Sequence, residues 1–172
     1  MKSITQLKKM IKYGEFVFDN YNLISKEDHQ QFYKRSNVTF NDIIISMIGS
    51  NRGMSTIVKT KEIFSIKNVG LIKTDEKKFL ARYLDYFFKS EIGQNSILSK
   101  SKGSAQQFID LTELRNWLVP LRSLNQQTQI VEEIESRFAG SEALEKAIDN
   151  RLERSEALRQ SILKQAFKGK LV

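Results

Sequence analysis

The sequence contains no cysteine and a single histidine, His29, among its 172 residues. Without cysteine the chain cannot form disulfides, thiolate metal sites or a cysteine nucleophile. A lone histidine argues against a histidine-based metal centre or a Ser-His-Asp triad within one chain. The sequence also contains no Gly-rich cofactor loop and no P-loop. Several common enzyme classes are therefore disfavoured.

The chain also lacks a long hydrophobic run. No segment approaches the roughly 18 apolar residues that a membrane span requires. The first sixteen residues, MKSITQLKKMIKYGEF, carry charges every few positions and do not resemble a signal peptide. We therefore expect the protein in the cytoplasm.

The net charge of +8 is confined to one part of the chain. Residues 1–124 contain 20 Lys and Arg against 12 Asp and Glu, whereas residues 125–172 contain eight of each. A concentrated basic excess favours a polyanionic partner, because each neutralised phosphate releases condensed counterions. A basic protein with no nucleic-acid role is the alternative that charge alone leaves open.

Residues 1–120 have the pattern of a mixed α/β domain. The run Ile43–Ile48 predicts a buried strand, and the following segment 49–53 predicts a turn with glycine at both ends. Further strands are predicted at 55–58, 64–66 and 69–72.

Residues Phe79–Ser90 change to a helical period. Apolar residues recur at intervals of three and four, which predicts an amphipathic helix with an aromatic face. That face is interpreted as core, in preference to a platform on which bases stack.

A small, polar and basic loop is predicted at Lys100–Gln107. A short strand or turn is expected at 108–111, and Thr112 is the predicted cap of a brief helical turn. The single proline, Pro120, marks the end of the region.

The second region, from about Asn125 to Phe167, is predicted to be one long helix. An apolar stripe follows one face at about 3.6 residues per turn. Its members are Ile130, Ile134, Phe138, Leu144, Ile148, Leu152, Leu158, Ile162 and Ala166.

The length of this helix exceeds what the first region can cover. About 43 residues at 1.5 Å each extend on the order of 65 Å. We therefore expect part of the stripe to pack on another long helix, in preference to an ordinary helix docked on its own domain. The charged residues around the stripe are interpreted as a solvated face.

Several segments together resemble a known family, the specificity subunits of type I restriction-modification systems, and in particular their C-terminal half. The segment Phe40–Ser50 resembles the family's strand-to-turn segment, in which Gly-Asp usually replaces Asn41-Asp42. Residues 68–72, 83–90 and 103–106 follow the family's order and spacing. Residues 158–172 (LRQSILKQAFKGKLV) match its closing signature.

The resemblance implies an α/β (α+β) target recognition domain over residues 1–122, shorter at its N-terminus than the family's usual domain. Residues 123–172 would form a long spacer helix that pairs as an antiparallel coiled coil. The expected function is non-catalytic recognition of double-stranded DNA, at a split palindromic site read by a homodimer or by pairing with another specificity subunit.

The resemblance also implies partners. Methyltransferase (modification) subunits and a restriction subunit would dock on the chain and carry out DNA methylation and host defence. S-adenosylmethionine, ATP and magnesium are expected on those partners, with no cofactor or metal on this chain.

The candidate DNA-binding residues lie on two loops. Arg52 lies on the Gly-bounded turn, where its planar fork suits guanine or phosphate, and its neighbour Asn51 could pair with adenine. The second set comprises Lys100, Lys102, Ser104 and Gln106. A solvated polar loop is the alternative for all six. Asp42 and Asp110 are interpreted as turn and cap residues.

Two other classes of function stay open. One is a truncated or regulatory fragment whose helix pairs with full-length specificity subunits without reading DNA. The other is a general coiled-coil interaction protein, which leaves the location of the +8 charge without a reason.

Overall fold

A computed structural model describes residues 4–7, 11–12, 15–16, 21–103 and 107–170, with side chains from residue 24 onward. The chain divides into two units, Met1–Gln129 (unit 1) and Ile130–Val172 (unit 2). The division falls within the last helix of the chain.

Among its described residues, unit 1 contains seven short strands arranged in three antiparallel sheets. Two are two-stranded, β1 with β4 and β2 with β3, and one is three-stranded in the order β6-β5-β7. The strands are β1 (Ile4–Leu7), β2 (Ile11–Lys12), β3 (Glu15–Phe16), β4 (Tyr21–Leu23), β5 (Ile43–Ser46), β6 (Ser55–Ile57) and β7 (Val69–Ile72).

The described part of the chain contains five helices. They are α1 (Lys26–Ser36), α2 (Ala81–Lys89), α3 (Glu91–Leu98), α4 (Leu111–Arg115) and α5 (Leu124–Phe167). The first four and the start of α5 belong to unit 1.

Strand β5 is the centre of unit 1. Its three consecutive isoleucines, Ile43, Ile44 and Ile45, are fully buried. Because successive side chains of a strand point to opposite faces, burial of all three means that both faces of the sheet are covered. On one side Ile44 packs with Val38, Val58, Phe64 and Ile66.

The aromatic face of α2 is core, as predicted. Tyr83, Leu84 and Phe88 are buried, and the Phe88 ring lies 4.4 Å from the ring of Trp117, centroid to centroid. The indole nitrogen of Trp117 donates a hydrogen bond of 2.7 Å to the Ser96 hydroxyl. Helix α2 is therefore held by packed aromatic rings, and the polar N–H group of Trp117 has a hydrogen-bond acceptor.

A tight turn precedes β5 and depends on Asn41 and Asp42. Asn41 has φ of +69°, a left-handed conformation that asparagine and glycine tolerate best. The buried Asp42 carboxylate accepts the Thr39 backbone N–H at 2.7 Å and pairs with Lys73 at 2.6 Å. The interpretation of Asp42 as a turn residue is confirmed.

The predicted fold class, a mixed α/β domain followed by one long helix, is confirmed. Two local predictions are wrong. Residues 64–66 form no strand among the described residues. Ser65 makes only an isolated bridge, and the Phe64 and Ile66 side chains on either side of it are buried in the core. The cap of α4 is Asp110 instead of Thr112, since its carboxylate accepts the Glu113 N–H.

The described residues of unit 2 comprise α5 from Ile130 onward and the short segment 168–170. Helix α5 has 44 residues, from Leu124 to Phe167, and closes at Gly169 with φ of +65°. At 1.5 Å per residue it extends about 66 Å. The predicted single helix is confirmed, within one residue at its start.

Candidate nucleic-acid interface

The first candidate loop is a closed turn after β5. The backbone of Ser46 bonds to Met54 and Gly53, at 2.9 and 2.7 Å, which closes the base of the loop. Gly49 and Gly53 both have φ of +82°, where a β-carbon is strained. The glycines therefore allow the turn that places Asn51 and Arg52 at its tip, and the Asn51 side chain is exposed.

Arg52 is held on this turn by two side-chain hydrogen bonds. Its Nη1 atom donates to the Gly49 carbonyl at 3.3 Å, and its Nε atom donates to the Ser101 hydroxyl at 3.0 Å. These contacts use two of the five N–H groups of the guanidinium. Among the residues that the structure describes, the other three N–H groups make no hydrogen bond, so the positioned guanidinium keeps donors for a further acceptor.

The second candidate loop is closed at its own base. Lys102 and Phe108 exchange two backbone hydrogen bonds of 2.8 Å, forming an antiparallel bridge across the loop. Gly103 has φ of +92°, as a reversal at the loop entrance requires.

The two loops lie against each other. The Gly49 N–H donates to the Gln107 carbonyl at 3.2 Å, and the Ile109 N–H donates to the Met47 carbonyl at 2.8 Å. Together with the bond from Arg52 to Ser101, these contacts join residues 47–53 to the described residues of the second loop, 101–103 and 107–109. The described residues of the two loops, 47–53, 100–103 and 107–109, therefore form one surface, here called the double-loop surface.

An ion cluster lies beside the second loop. Lys102 pairs with Asp110, and its ammonium also lies 3.6 Å from Glu113, which is 3.7 Å from Lys100. The hydrogen bond from Lys102 lowers the pKa of Asp110 below its ordinary value, and the same bond raises the pKa of Lys102. The two lysines are thus partly neutralised in the free protein.

The double-loop surface contains four of the six predicted DNA-binding residues: Asn51, Arg52, Lys100 and Lys102. Ser104 and Gln106 lie outside the described residues. Contact of any of the six with DNA stays a prediction.

The sequence interpretation passed over Ser101 and Gln107 as members of this surface. Both lie inside the predicted loop, but nothing local marks them, because their contacts are with residues 49 and 52. Ile48 and Phe108 are each about two-fifths exposed and add an apolar margin.

The predicted helix-pairing residues lie on α5 in unit 2. Ile134 is half-buried, and the other seven are exposed by between 37% and 62%. Those seven are Ile130, Phe138, Leu144, Ile148, Leu152, Leu158 and Ile162. Pairing itself stays a prediction, but the apolar stripe is accessible.

Gln127 fixes the start of α5 within unit 1. Its side chain is fully buried, and its Oε1 accepts the Leu80 N–H at 2.8 Å. Its Nε2 donates to the carbonyls of Lys78 and Arg122, at 2.8 and 2.9 Å. The first turn of the helix is therefore tied to the segment before α2 and to the chain before the helix.

Unit 1 also contains an apolar hollow of about 480 Å³. Phe79, Leu114 and Trp117 are among the side chains that line it, and Asp75 is the one carboxylate in the lining. That carboxylate lies 3.7 Å from Lys78. The hollow therefore offers mainly apolar burial, with this charged pair in its lining.

The described part of the chain contains no cluster of three or more His, Asp or Glu side chains suited to hold a metal ion. Among the same residues, no helix has both the length and the apolarity to cross a bilayer.

Comparison with known proteins gives a consistent set of matches. Residues 2–154 match the family model for the type I restriction modification DNA specificity domain. The chain is 33% identical over 158 residues to the type I restriction enzyme EcoBI specificity subunit of Escherichia coli, covering 92% of this chain and 33% of that protein. It is 34% identical over 96 residues to the EcoKI specificity subunit of Escherichia coli strain K12, covering 55% and 21%. The chain thus spans a third or less of the length of these curated relatives.

Two solved structures share the fold. One is the crystal structure of the HsdS subunit from Thermoanaerobacter tengcongensis, with a TM-score of 0.61 at 17% identity, covering 72% of this chain and 33% of that one. The other comes from a study of complex assembly and conformational transition of the type I R-M system. Its TM-score is 0.60 at 23% identity, with coverage of 77% and 32%.

Proposed function

The chain belongs to the family of type I restriction modification DNA specificity domains, and from that premise we propose that it is a non-catalytic subunit that reads DNA sequence. It directs methyltransferase and restriction subunits to a specific site. The single observation that carries this proposal is the double-loop surface, where two loops distant in sequence meet around Arg52.

The charge distribution supports a DNA partner. The entire excess of +8 lies in unit 1, and unit 2 is neutral. Lysines and arginines of unit 1 would bind phosphates and fix the register, while a few polar side chains read base edges in the major groove.

Arg52 is the best candidate for reading a base. An arginine recognises guanine through two parallel N–H groups, and this recognition demands a fixed orientation of the fork. The bonds to Gly49 and Ser101 supply such an orientation before DNA arrives. Asn51, exposed beside it, has the amide that recognises adenine.

Self-pairing through α5 completes the proposal. A two-fold pair of chains would present two identical recognition domains and read a split palindromic site. The exposed stripe from Ile130 to Ile162 supports pairing, because seven accessible large apolar side chains on one helix are costly in water. The catalytic cofactors, S-adenosylmethionine, ATP and magnesium, belong to the partner subunits in this scheme.

A second candidate function rests on the ion cluster. Lys100 and Lys102 already face Glu113 and Asp110, so they bind phosphate only by leaving those carboxylates. This favours a fragment that pairs with full-length specificity subunits and does not read DNA itself.

Base modification in a living cell separates the two functions. The chain is co-expressed with the type I methyltransferase of its own genome in a host that lacks DNA methylation, and modified bases are mapped by single-molecule sequencing. We expect a split palindromic motif that Arg52→Ala abolishes and that Arg151→Ala, an equal charge change on α5, leaves intact. A complex that co-purifies but modifies no motif would refute the DNA-reading function.

A further inference from the structure

Ile48 and Phe108 are large apolar residues of the double-loop surface, exposed by 43% and 40%. They lie opposite each other in an antiparallel bridge. The two hydrogen bonds of this bridge, at 2.8 and 3.2 Å, join the residues on either side of the pair and not the pair itself. In that kind of pair the side chains share one face and approach most closely, with Cα atoms about 4.5 Å apart. Ile48 and Phe108 therefore form one apolar patch.

Lys102 extends this patch into a row of three side chains. Lys102 and Phe108 exchange two backbone hydrogen bonds of 2.8 Å, so their side chains share a face as well. Successive residues of an extended strand point to opposite faces, and Ile109, next to Phe108, is only 1% exposed. The row of Ile48, Phe108 and Lys102 thus faces outward.

The surroundings of the row are charged. Lys102 ends it on one side, with a side chain that is 52% exposed. On the other side, the guanidinium of Arg52 bonds to the carbonyl of Gly49, the residue after Ile48. The cores of protein interfaces are depleted in lysine and need a larger apolar area than two side chains provide. The row therefore suits a charged partner that carries a small apolar group.

Duplex DNA presents such a group in its major groove. The C5 methyl of thymine is apolar, whereas the other groups by which base pairs are read there are hydrogen-bond donors and acceptors. Phenylalanine is one of the residues that contact this methyl group. The groove also admits a two-stranded ribbon, and the bridge gives residues 47–49 and 107–109 this local form. A thymine methyl group therefore matches the chemistry of the row.

From these observations we propose that Ile48 and Phe108 together contact the C5 methyl group of a thymine and so select a T·A pair at one position of each target half-site. This contact rests on the DNA-reading function proposed above and adds the base that the apolar pair selects. Cytosine has no C5 methyl group and presents an amino donor where thymine presents an acceptor, so a C·G pair would lose the contact.

Replacement of thymine by uracil tests the contact, because it deletes one methyl group and leaves base pairing unchanged. The complex of the chain with the methyltransferase of its own genome is titrated, at one salt concentration, with duplexes that carry the mapped motif. Each thymine of the motif is replaced in turn by deoxyuridine. At one thymine of the half-site we expect binding to weaken about fourfold, the effect of leaving one methyl group unburied.

Variants of the apolar pair assign the effect to these side chains. Phe108→Ala should bind the thymine and uracil duplexes almost equally, because the partner of the methyl group is lost. Phe108→Leu keeps an apolar side chain and should retain most of the ratio, and Ile48→Ala should lower it independently. Ile63→Ala removes an apolar residue that is 61% exposed outside the double-loop surface, and it should leave the ratio unchanged.

The outcomes separate the methyl contact from DNA reading itself. A motif without thymine, no measurable effect of any uracil, or an unchanged ratio in both Phe108→Ala and Ile48→Ala would overturn the contact and leave DNA reading intact. Loss of the methyltransferase from the Phe108→Ala complex, with the ratio unchanged, would overturn it in favour of a protein-docking role. A complex that modifies no motif would overturn both proposals.

Discussion

The Nε atom of Arg52 donates a hydrogen bond to the hydroxyl of Ser101, 3.0 Å away, although 49 positions separate the two residues in the chain. The bond joins the turn after β5 to the loop after α3. The guanidinium of Arg52 on one loop is thereby positioned by the other loop, so a change in either loop alters the same surface.

Replacing Arg52 with alanine should reduce discrimination between target and mismatched DNA by about 1–3 kcal/mol, because a two-pronged base contact is lost. The dissociation constants of the two duplexes, measured at one salt concentration, give this difference. Arg151→Ala should leave the ratio unchanged. An equal loss of affinity for both duplexes would identify Arg52 as a phosphate contact.

Ser101→Ala should weaken target binding only while Arg52 is present. The hydroxyl orients the guanidinium, so we expect a coupling energy of about 0.5 kcal/mol or more between the two positions. A double-mutant cycle on DNA affinity measures it, with the exposed Ser99→Ala as a matched control. Strict additivity of the two losses would contradict a positioning role for Ser101.

The pair of Lys102 and Asp110 should give stability a defined pH dependence. The hydrogen bond to Lys102 lowers the pKa of Asp110, so its contribution is present at neutral pH and is lost as the pH falls through the lowered value, below 3.8. Lys102 has a raised pKa, so its contribution persists up to about pH 10.5 and is lost as the pH rises beyond it.

Denaturant unfolding over a range of pH tests this dependence. Asp110→Asn keeps an acceptor for the N-terminus of α4 but removes the charge, and it should reduce the stability lost between pH 5 and 3. Lys102→Met should reduce it similarly, because it removes the other member of the pair. Parallel pH curves for the wild type and both variants would show that the pair contributes nothing to stability.

Gln127→Ala should lower the free energy of unfolding by about 2–4 kcal/mol. The change leaves the part-buried Leu80 N–H and the carbonyls of Lys78 and Arg122 without the partner that the buried amide provides. Chemical denaturation measures the loss. The neighbouring Gln126→Ala is the control, because Gln126 is exposed, and its effect should be under about 1 kcal/mol.

Gly140→Ala should stabilise α5 by about 1 kcal/mol, since a β-carbon at this helical position meets no atom within 4 Å. Thermal unfolding followed by circular dichroism measures the gain. Ala139→Gly, one position earlier on the same exposed stretch, should cost a similar amount. A destabilised Gly140→Ala variant would mean that this turn does not stay helical in solution.

The pattern of apolar residues along the sequence predicted three parts of the fold. They are β5, which forms from a β-branched run, α2 with its aromatic face, and α5 with its apolar stripe. In each, the run or the spacing of apolar residues is typical of the element that forms. Helix α1 escaped prediction because none of its side chains is fully buried. Its local signals lie at its two ends: Ser25, whose side chain caps the Asp28 N–H, acidic residues in the first turn and basic residues in the last.

Helix α3 was not predicted from the sequence for a different reason. It is eight residues long and contains Gly93, a residue that disfavours helices. Close packing requires that glycine, because a β-carbon there would collide with the backbone of Phe87. The sequence likewise predicted both candidate loops but not their junction, since no local pattern encodes a contact between residues 52 and 101.

The buried amide of Gln127 fixes the first turn of α5 in rotation as well as in position. A helix that is joined to its domain only by an irregular, largely exposed segment such as residues 118–123 could rotate about its own axis. Here three hydrogen bonds from the Gln127 side chain, to Lys78, Leu80 and Arg122, hold the first turn of α5 at one rotational setting within unit 1. A single substitution at residue 127 would remove all three bonds and leave that turn free to rotate.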